Sequence, residues 1–484
     1  MVIGALLEGR LEPDEQAGGQ ADLDCPGPKG YRPAMIATTG GEGGAYAAAD
    51  PRLLREEPAE LLQRLLTFDT TNPPGNEGEC VAFLARVLEA AGISSRMMAK
   101  VQGRPNLVAR LPGAGRSEPL LLYGHVDVVT TKGQDWAVPP FAGLVQDGYV
   151  WGRGAIDMKG GVAMLVAAFL RAAAGSPPPG DIILAVVSDE EAGGDLGARW
   201  LVEEHGDLFA GARYALGEFG GFQFHMGGRT FYPIQVAEKQ LCWLRATVRG
   251  PAGHGARPMR GGSMAHLARL LGRLDRGRLP VHITAPARDM FAGLAGGLPA
   301  LQGLGVRAML VPALTDVVLD RLGDRRPLFE PLLRHTVNAT IVRGGDKINV
   351  VPAEVTVDLD GRLLPGFTPP DLIGEVRALV GPHVELEVIR HDPGPPKADL
   401  GLFETLAGIL REFDPGAEPI PYLLSGVTDG RWFARLGIQT YGFLPMTLPP
   451  DFKFFKVVHA ADERIPVEAL EFGTRALELA LRRF

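Results

Sequence analysis

The stretch Leu120-Leu121-Leu122-Tyr123-Gly124-His125-Val126-Asp127-Val128-Val129 runs from an apolar segment, through one glycine, straight into an imidazole and a carboxylate. A short apolar run of this kind reads as a buried strand. Side chains two apart in an extended chain face the same way, so His125 and Asp127 project together from its end. The arrangement recurs twice: residues 181–187 lead into Ser188-Asp189-Glu190-Glu191, and residues 214–217 into Glu218. Helical stretches at 161–174 and 196–204 alternate with these runs, and another apolar run lies at 106–111. That alternation predicts an α/β fold with a mostly parallel central sheet. In open sheets of this type ligands bind outside the carboxyl ends of the strands, which is where the charged residues stand.

Outward from this core, leucines at 53, 54, 61, 62, 65 and 66 recur at helical spacing, a second helix spans 79–91, and 141–151 reads as a hairpin turning at Asp147-Gly148. From about residue 237 the order changes to strand 241–248, helix 263–276, strands 336–342 and 354–363, helix 369–380 and strand 384–389. This β-α-β-β-α-β order predicts an inserted α+β domain of split βαβ, ferredoxin-like form over 237–391. The larger domain then comprises 51–236 and 392–484 and closes on a helix at 467–483. Within the insertion, 280–333 is too long for a plain loop and predicts helices. Residues 1–50, rich in Gly and Ala with 3 basic and 8 acidic residues, read as a disordered extension.

Composition removes several function classes. The 484 residues are 46% hydrophobic and 22% charged, as in a globular chain. The net charge of −8 comes without any Lys/Arg run, so no nucleic-acid footprint is present. Three well-separated cysteines (25, 80, 242) argue against a disulfide framework and for a reducing compartment, so a cytoplasmic location is expected. The apolar run at 162–170 stops at Arg171, and residues 1–7 lack a cationic lead, so neither a membrane span nor a secretory signal is expected. Residues 261–265 depart from the nucleophile-elbow pattern at their last position, and Ser263 reads as a helix N-cap, which leaves no serine triad.

The acidic strand ends carry the chemistry. Like charges crowded in one crevice push each other towards neutrality, and a divalent cation removes that cost. Asp127 can orient His125 as a ligand, or His125 is simply a strand-end histidine capped by an ordinary aspartate. Asp157, between the turn Gly152-Arg153-Gly154 and a helix, is either an N-cap or a carboxylate able to bridge two cations. In Glu190-Glu191 one carboxylate can ligate while its neighbour handles a water proton, the plainer alternative being a solvated acidic loop. His254 lies in the glycine-lined loop 250–255, and His459 precedes the last helix.

Three stretches, Tyr123-Gly124-His125-Val126-Asp127-Val128-Val129, Trp151-Gly152-Arg153-Gly154-Ala155-Ile156-Asp157-Met158-Lys159-Gly160-Gly161 and Ser188-Asp189-Glu190-Glu191, together resemble the dinuclear-zinc metallopeptidase and amidohydrolase family of aminoacylase, carboxypeptidase S, acetylornithine deacetylase and succinyl-diaminopimelate desuccinylase. The resemblance covers roughly residues 51–484. It implies two zinc ions, replaceable by cobalt or manganese, one held by His125 and Glu218, the other by Glu191 and His459, with Asp157 bridging. Asp127 would orient His125, and Glu190 would be the general base. It further implies a homodimer in which 237–391 is the lid and dimerisation module and His254 of one subunit reaches the partner's site. Arg362 would hold a substrate carboxylate, with Asn349, Gly426 and Thr428 near the substrate backbone. The expected activity is hydrolysis of the amide bond of a dipeptide, a peptide C-terminus or an N-acyl amino acid by a metal-activated water. Alternatives are a biosynthetic deacylase or carbamoyl-amide hydrolase on the same site, or a non-catalytic metal- or peptide-binding module, which the presence of Glu190 disfavours. Glu218 leans towards N-acylated amino acids, whereas residues 441–463 look more like the carboxypeptidase S branch.

Overall fold

The computed structural model describes residues 50–395 and 397–484. The extension expected over 1–50 lies, except for Asp50, outside the described residues. The large sheet runs in the order Ser95–Ala99, Pro105–Leu111, Ile182–Val187, Leu120–His125, Tyr214–Gly217, Gln439–Gly442, Arg229–Glu238 and Glu418–Leu424, with Phe224–Met226 hairpinned onto Arg229–Glu238. The four strands in the middle are mutually parallel. Antiparallel pairs flank them on both sides, and the outermost strand Glu418–Leu424 again pairs in parallel with Arg229–Glu238, so the parallel sheet expected from the sequence is the centre of a mixed one. At the first edge the reason is loop length: Ser95–Ala99 and Pro105–Leu111 are joined by only a few residues, too short for a parallel crossover.

Alternation along the central strands separates two cores. Leu120, Leu122, Ile182, Leu184 and Val186 face one core with the helices Pro58–Leu66, Gly78–Ala90, Lys159–Ala174 and Val467–Arg483. Leu121, Tyr123, Ile183, Ala185 and Val187 face the other with the helix Ala198–His205. Covering both faces is why these strands read as unbroken apolar runs. Gly217 shows how tightly the centre is built, because a Cβ there would lie 2.2 Å from the Tyr123 ring.

The small sheet is antiparallel, in the order Thr336–Arg343, Glu354–Leu363, Gln240–Arg249, Glu385–Asp392. The helices Ser263–Arg276 and Pro369–Val380 pack with it into a separate core, giving the split βαβ form. Ser263 is not the helix cap: Gly262 takes that position, and the Ser263 hydroxyl donates to the Pro352 carbonyl at 2.6 Å. Only Lys239 separates the large-sheet strand Arg229–Glu238 from the small-sheet strand Gln240–Arg249. It is buried and donates to the carbonyls of Pro331 and Arg334 and to the Thr336 hydroxyl, tying the end of the 280–333 segment to this junction.

The 280–333 segment is helical, as its length implied, and packs on the large sheet rather than in the small core. Its helix Ala285–Gly297 buries Ala287, Met290, Phe291 and Leu294 in the same core as Ile420 and Phe231 of the large sheet. Gly293 faces Ile420 so closely that a Cβ would fall 2.8 Å from it. Among the described residues Glu418–Leu424 is the outermost strand on this side of the sheet, and a covering helix is a common way to protect an edge. No single helix among the described residues is long and apolar enough to cross a membrane; the bent pair Ala300–Ala308 and Pro312–Leu319 meets length and composition only when joined across a 116° bend.

Candidate metal centre

The parallel strands end side by side, and their register brings the predicted side chains together. His125 is the last residue of its strand, Glu190 and Glu191 form the short turn just past Ile182–Val187, and Glu218 directly follows Tyr214–Gly217. Asp157 enters from the loop before the helix Lys159–Ala174, and His459 from the loop before the strand Arg464–Pro466. Asp157 does not cap its helix; Met158 holds the cap position without a side-chain bond. Instead its two oxygens divide. Oδ1 lies 3.2 Å from His125 Nε2, and Oδ2 lies 3.1 Å from His459 Nε2. His125 Nε2 is also 3.5 Å from Glu218 and 4.0 Å from Glu190, and His459 Nε2 is 3.2 Å from Glu191.

Such spacings suit cations. Four donors about 2.1 Å from a tetrahedral ion stand roughly 3.4 Å apart. Two donor groups result, one on each side of Asp157, and together they contain two imidazoles and the carboxylates of Asp157, Glu190, Glu191 and Glu218. The donor set therefore fits a pair of divalent ions sharing Asp157.

Asp127 does more than face an imidazole. His125 Nδ1 is 3.0 Å from the Asp127 carbonyl and 3.5 Å from its carboxylate. That carboxylate also accepts the N–H groups of Glu190 and Glu191, both at 3.1 Å, and the Asn72 amide at 2.8 Å. One buried side chain thus sets the position of a histidine on one strand and the acidic pair on the next.

Sequence reasoning passed over a second brace, although both of its members stand inside or beside the quoted motifs. Arg153 and Glu463 are fully buried and paired at 2.6 Å. Glu463 accepts the N–H groups of Gly154, Ile156 and Asp157, while Arg153 donates to the carbonyls of His459 and Ala460 and to Gln134. The pair therefore connects the Asp157 loop to the His459 loop. Spacing gives no hint of it, because the partners are 310 residues apart.

The pattern of Peptidase family M20/M25/M40 matches residues 121–483. This chain belongs to that family. The human N-fatty-acyl-amino acid synthase/hydrolase is 30% identical over 373 residues, covering 73% of this chain and 72% of the relative. The succinyl-diaminopimelate desuccinylase of Magnetococcus marinus is 27% identical over 444 residues, covering 88% and 98%. Among solved structures, the M20 family metallo-carboxypeptidase Sso-CP2 of Sulfolobus solfataricus superposes with a TM-score of 0.65 at 17% identity, covering 88% and 98%. The chain is thus an M20 metallohydrolase, as the three motifs implied.

In this M20 hydrolase the centre opens into a cleft of about 620 Å³. Arg362 and Gly426 line it. Arg362 is gripped by Asp360 through Nε and Nη2 (2.8 and 3.1 Å), which holds the guanidinium at the wall. Arg390 and Trp243 stand on the same small-sheet side, and Arg431, also unpredicted, stands 3.9 Å from Glu190. Thr428 does not reach substrate space: it is buried, and its N–H and hydroxyl both bind Glu238. His254 and Asn349 are absent from this chain's own cleft. They sit together, exposed, where Gly253–His254 pairs with Val350–Val351 and the Gly255 N–H meets the Asn349 carbonyl at 2.8 Å.

The electrostatics of the M20 centre express its excess of carboxylates. Burial would depress His125, but Asp127, Asp157 and Glu218 override it and hold the imidazole well above its usual value. Hydrogen bonds to Asp157 and Glu191 raise His459 to about 10. Burial raises Glu191 to about 7. Burial and the charge of Glu218 hold Glu190 well above the carboxylate range. Asp157 goes the other way: burial is outweighed by its two histidine partners, which keep it ionised. The left-handed backbone of Asp189, Phe219 and His459 (φ 73°, 62° and 62°) borders the same centre, a strain of order 1–3 kcal/mol each that the surrounding contacts sustain.

Proposed function

We propose that this protein is a dizinc hydrolase of N-acyl amino acids or dipeptides that carry a free carboxylate. His125 and Glu218 would hold one zinc, Glu191 and His459 the other, and Asp157 both; cobalt or manganese would serve in the same donor set. The observation that carries the reading is the division of the Asp157 oxygens between two histidines from different loops. Zinc pairs in such sites lower the pKa of a water and polarise the scissile carbonyl. Glu190 takes the proton from the attacking water and returns it to the leaving amine. Arg362 pairs with the substrate carboxylate, and Gly426 leaves room for the substrate backbone. Purified protein is expected to contain two zinc equivalents, to lose turnover on chelation and to regain it with zinc. Full turnover in metal-free protein would end the proposal.

We also propose a homodimer in which His254, with Asn349 beside it, completes the partner's cleft. Support comes from the placement of both residues on an exposed ladder outside their own cleft. As an oxyanion donor, His254 is worth about 10²–10³ in turnover, so His254→Ala is expected to lose that much with both metals bound. Mixing His254→Ala with Glu190→Gln subunits should regain activity, because one of the two sites in a mixed dimer then has both groups. No gain on mixing, after subunit exchange is verified, would place His254 outside the reaction.

A further inference from the structure

The 280–333 segment leaves a cavity where it covers the sheet edge. It encloses about 150 Å³, and Met290, Leu294 and Leu328 of the segment face Phe222, Phe224 and Ile420 of the large-sheet side across it. Among the described residues no charged side chain lines it. Protein interiors pack closely, and an unfilled apolar cavity forfeits contact energy unless something occupies it. Tyr422, Ser425 and Phe455 are walls of this cavity and of the catalytic cleft alike, so the two spaces adjoin.

The cleft itself is polarised. Arg362 and Arg390 line its small-sheet side, and Tyr422 and Phe455 stand where the apolar cavity begins. A substrate with its carboxylate against Arg362 and its amide at the centre has its acyl portion left to lodge beyond Tyr422. A dipeptide would bring a cationic amine to that cavity, where no counter-charge lines the wall, and burying an unpaired ammonium is costly. A hydrocarbon chain meets no such cost.

We propose that this cavity receives the acyl chain of a long-chain N-acyl amino acid, and that the 280–333 segment sets the chain-length preference. The inference rests on the amide-hydrolase reading above and chooses between its substrate classes. One water adds across the C–N bond: its oxygen stays on the acyl carbon as carboxylate, and its protons leave with the amine. The free fatty acid and the free amino acid are the products.

The test is a series of N-acetyl, N-hexanoyl, N-decanoyl and N-lauroyl conjugates of one amino acid, with a free-amine dipeptide alongside, on the zinc-loaded protein. Each methylene taken out of water favours binding roughly fourfold, so kcat/KM is expected to climb steeply along the series until the cavity is full. Leu328 is 44% exposed, so Leu328→Glu keeps the core intact while placing a charge at the cavity wall. Met290→Trp fills the space instead. Either change is expected to lower the lauroyl-to-acetyl ratio of kcat/KM by about tenfold or more. A flat or falling chain-length profile, or an unchanged ratio in both variants, overturns the acyl cavity while leaving the hydrolase intact. Failure of the metal-loaded protein to cleave any conjugate or the dipeptide overturns the hydrolase reading, and the acyl cavity with it.

Discussion

Glu190→Gln is expected to lower kcat by about 10²–10⁴, the usual worth of a positioned general base, with both metals retained and the fold unchanged. The substitution keeps size and shape and removes only the ability to accept and return a proton. Its structural cost is small because the loop is held through the backbone: the Glu190 N–H is bound by Asp127 at 3.1 Å. The Glu190 carboxylate itself makes only longer approaches, 4.0 Å to His125 and 3.9 Å to Arg431. Turnover of an N-acyl amino acid, metal content and circular dichroism measured on the same preparation separate the possibilities. A variant within tenfold of the parent, with its metals bound, would remove Glu190 from proton transfer.

The largest stability effect is expected from Arg153→Met. Glu463 is fully buried, and Arg153→Met removes its ion-pair partner and leaves only backbone N–H groups to hold the charge. Breaking a buried pair from one side typically costs about 3–5 kcal/mol. Denaturant unfolding should register the loss as a lower midpoint. Arg153→Met/Glu463→Leu should recover only part of it, because the N–H groups of Gly154, Ile156 and Asp157 then lose their acceptor. Metal affinity should fall as well, by roughly 10–100-fold, the usual consequence of removing a group that positions ligands. A midpoint within error of the parent would show that the pair does not hold the two loops.

Much of the centre was legible because strand and motif coincide. An apolar run that ends in a charged residue marks both a buried strand and the place where its side chains emerge, so His125, Glu190, Glu191 and Glu218 could be located without knowing the strand order. Thr428 was misplaced because the loop motif says nothing of direction: its hydroxyl turns inward to Glu238 rather than outward to the cleft. That Asn349 and His254 stand side by side was not legible in the sequence, because they meet only through the two-residue ladder of Gly253–His254 with Val350–Val351. The 280–333 segment was recognised as helical, but its partner lies in the strand Glu418–Leu424, some 120 residues on in the chain.

By itself the sequence determined the α/β rhythm, the inserted split βαβ unit and the acidic and imidazole side chains offered at strand ends, because hydrophobic period and residue chemistry are local properties. Only the tertiary structure decided that Asp157 stands between two histidines, that Arg153 and Glu463 join their loops, and that an apolar cavity opens beside the cleft. Those features depend on which distant segments pack together, and that is set by the matching of whole buried faces rather than by any one stretch of chain.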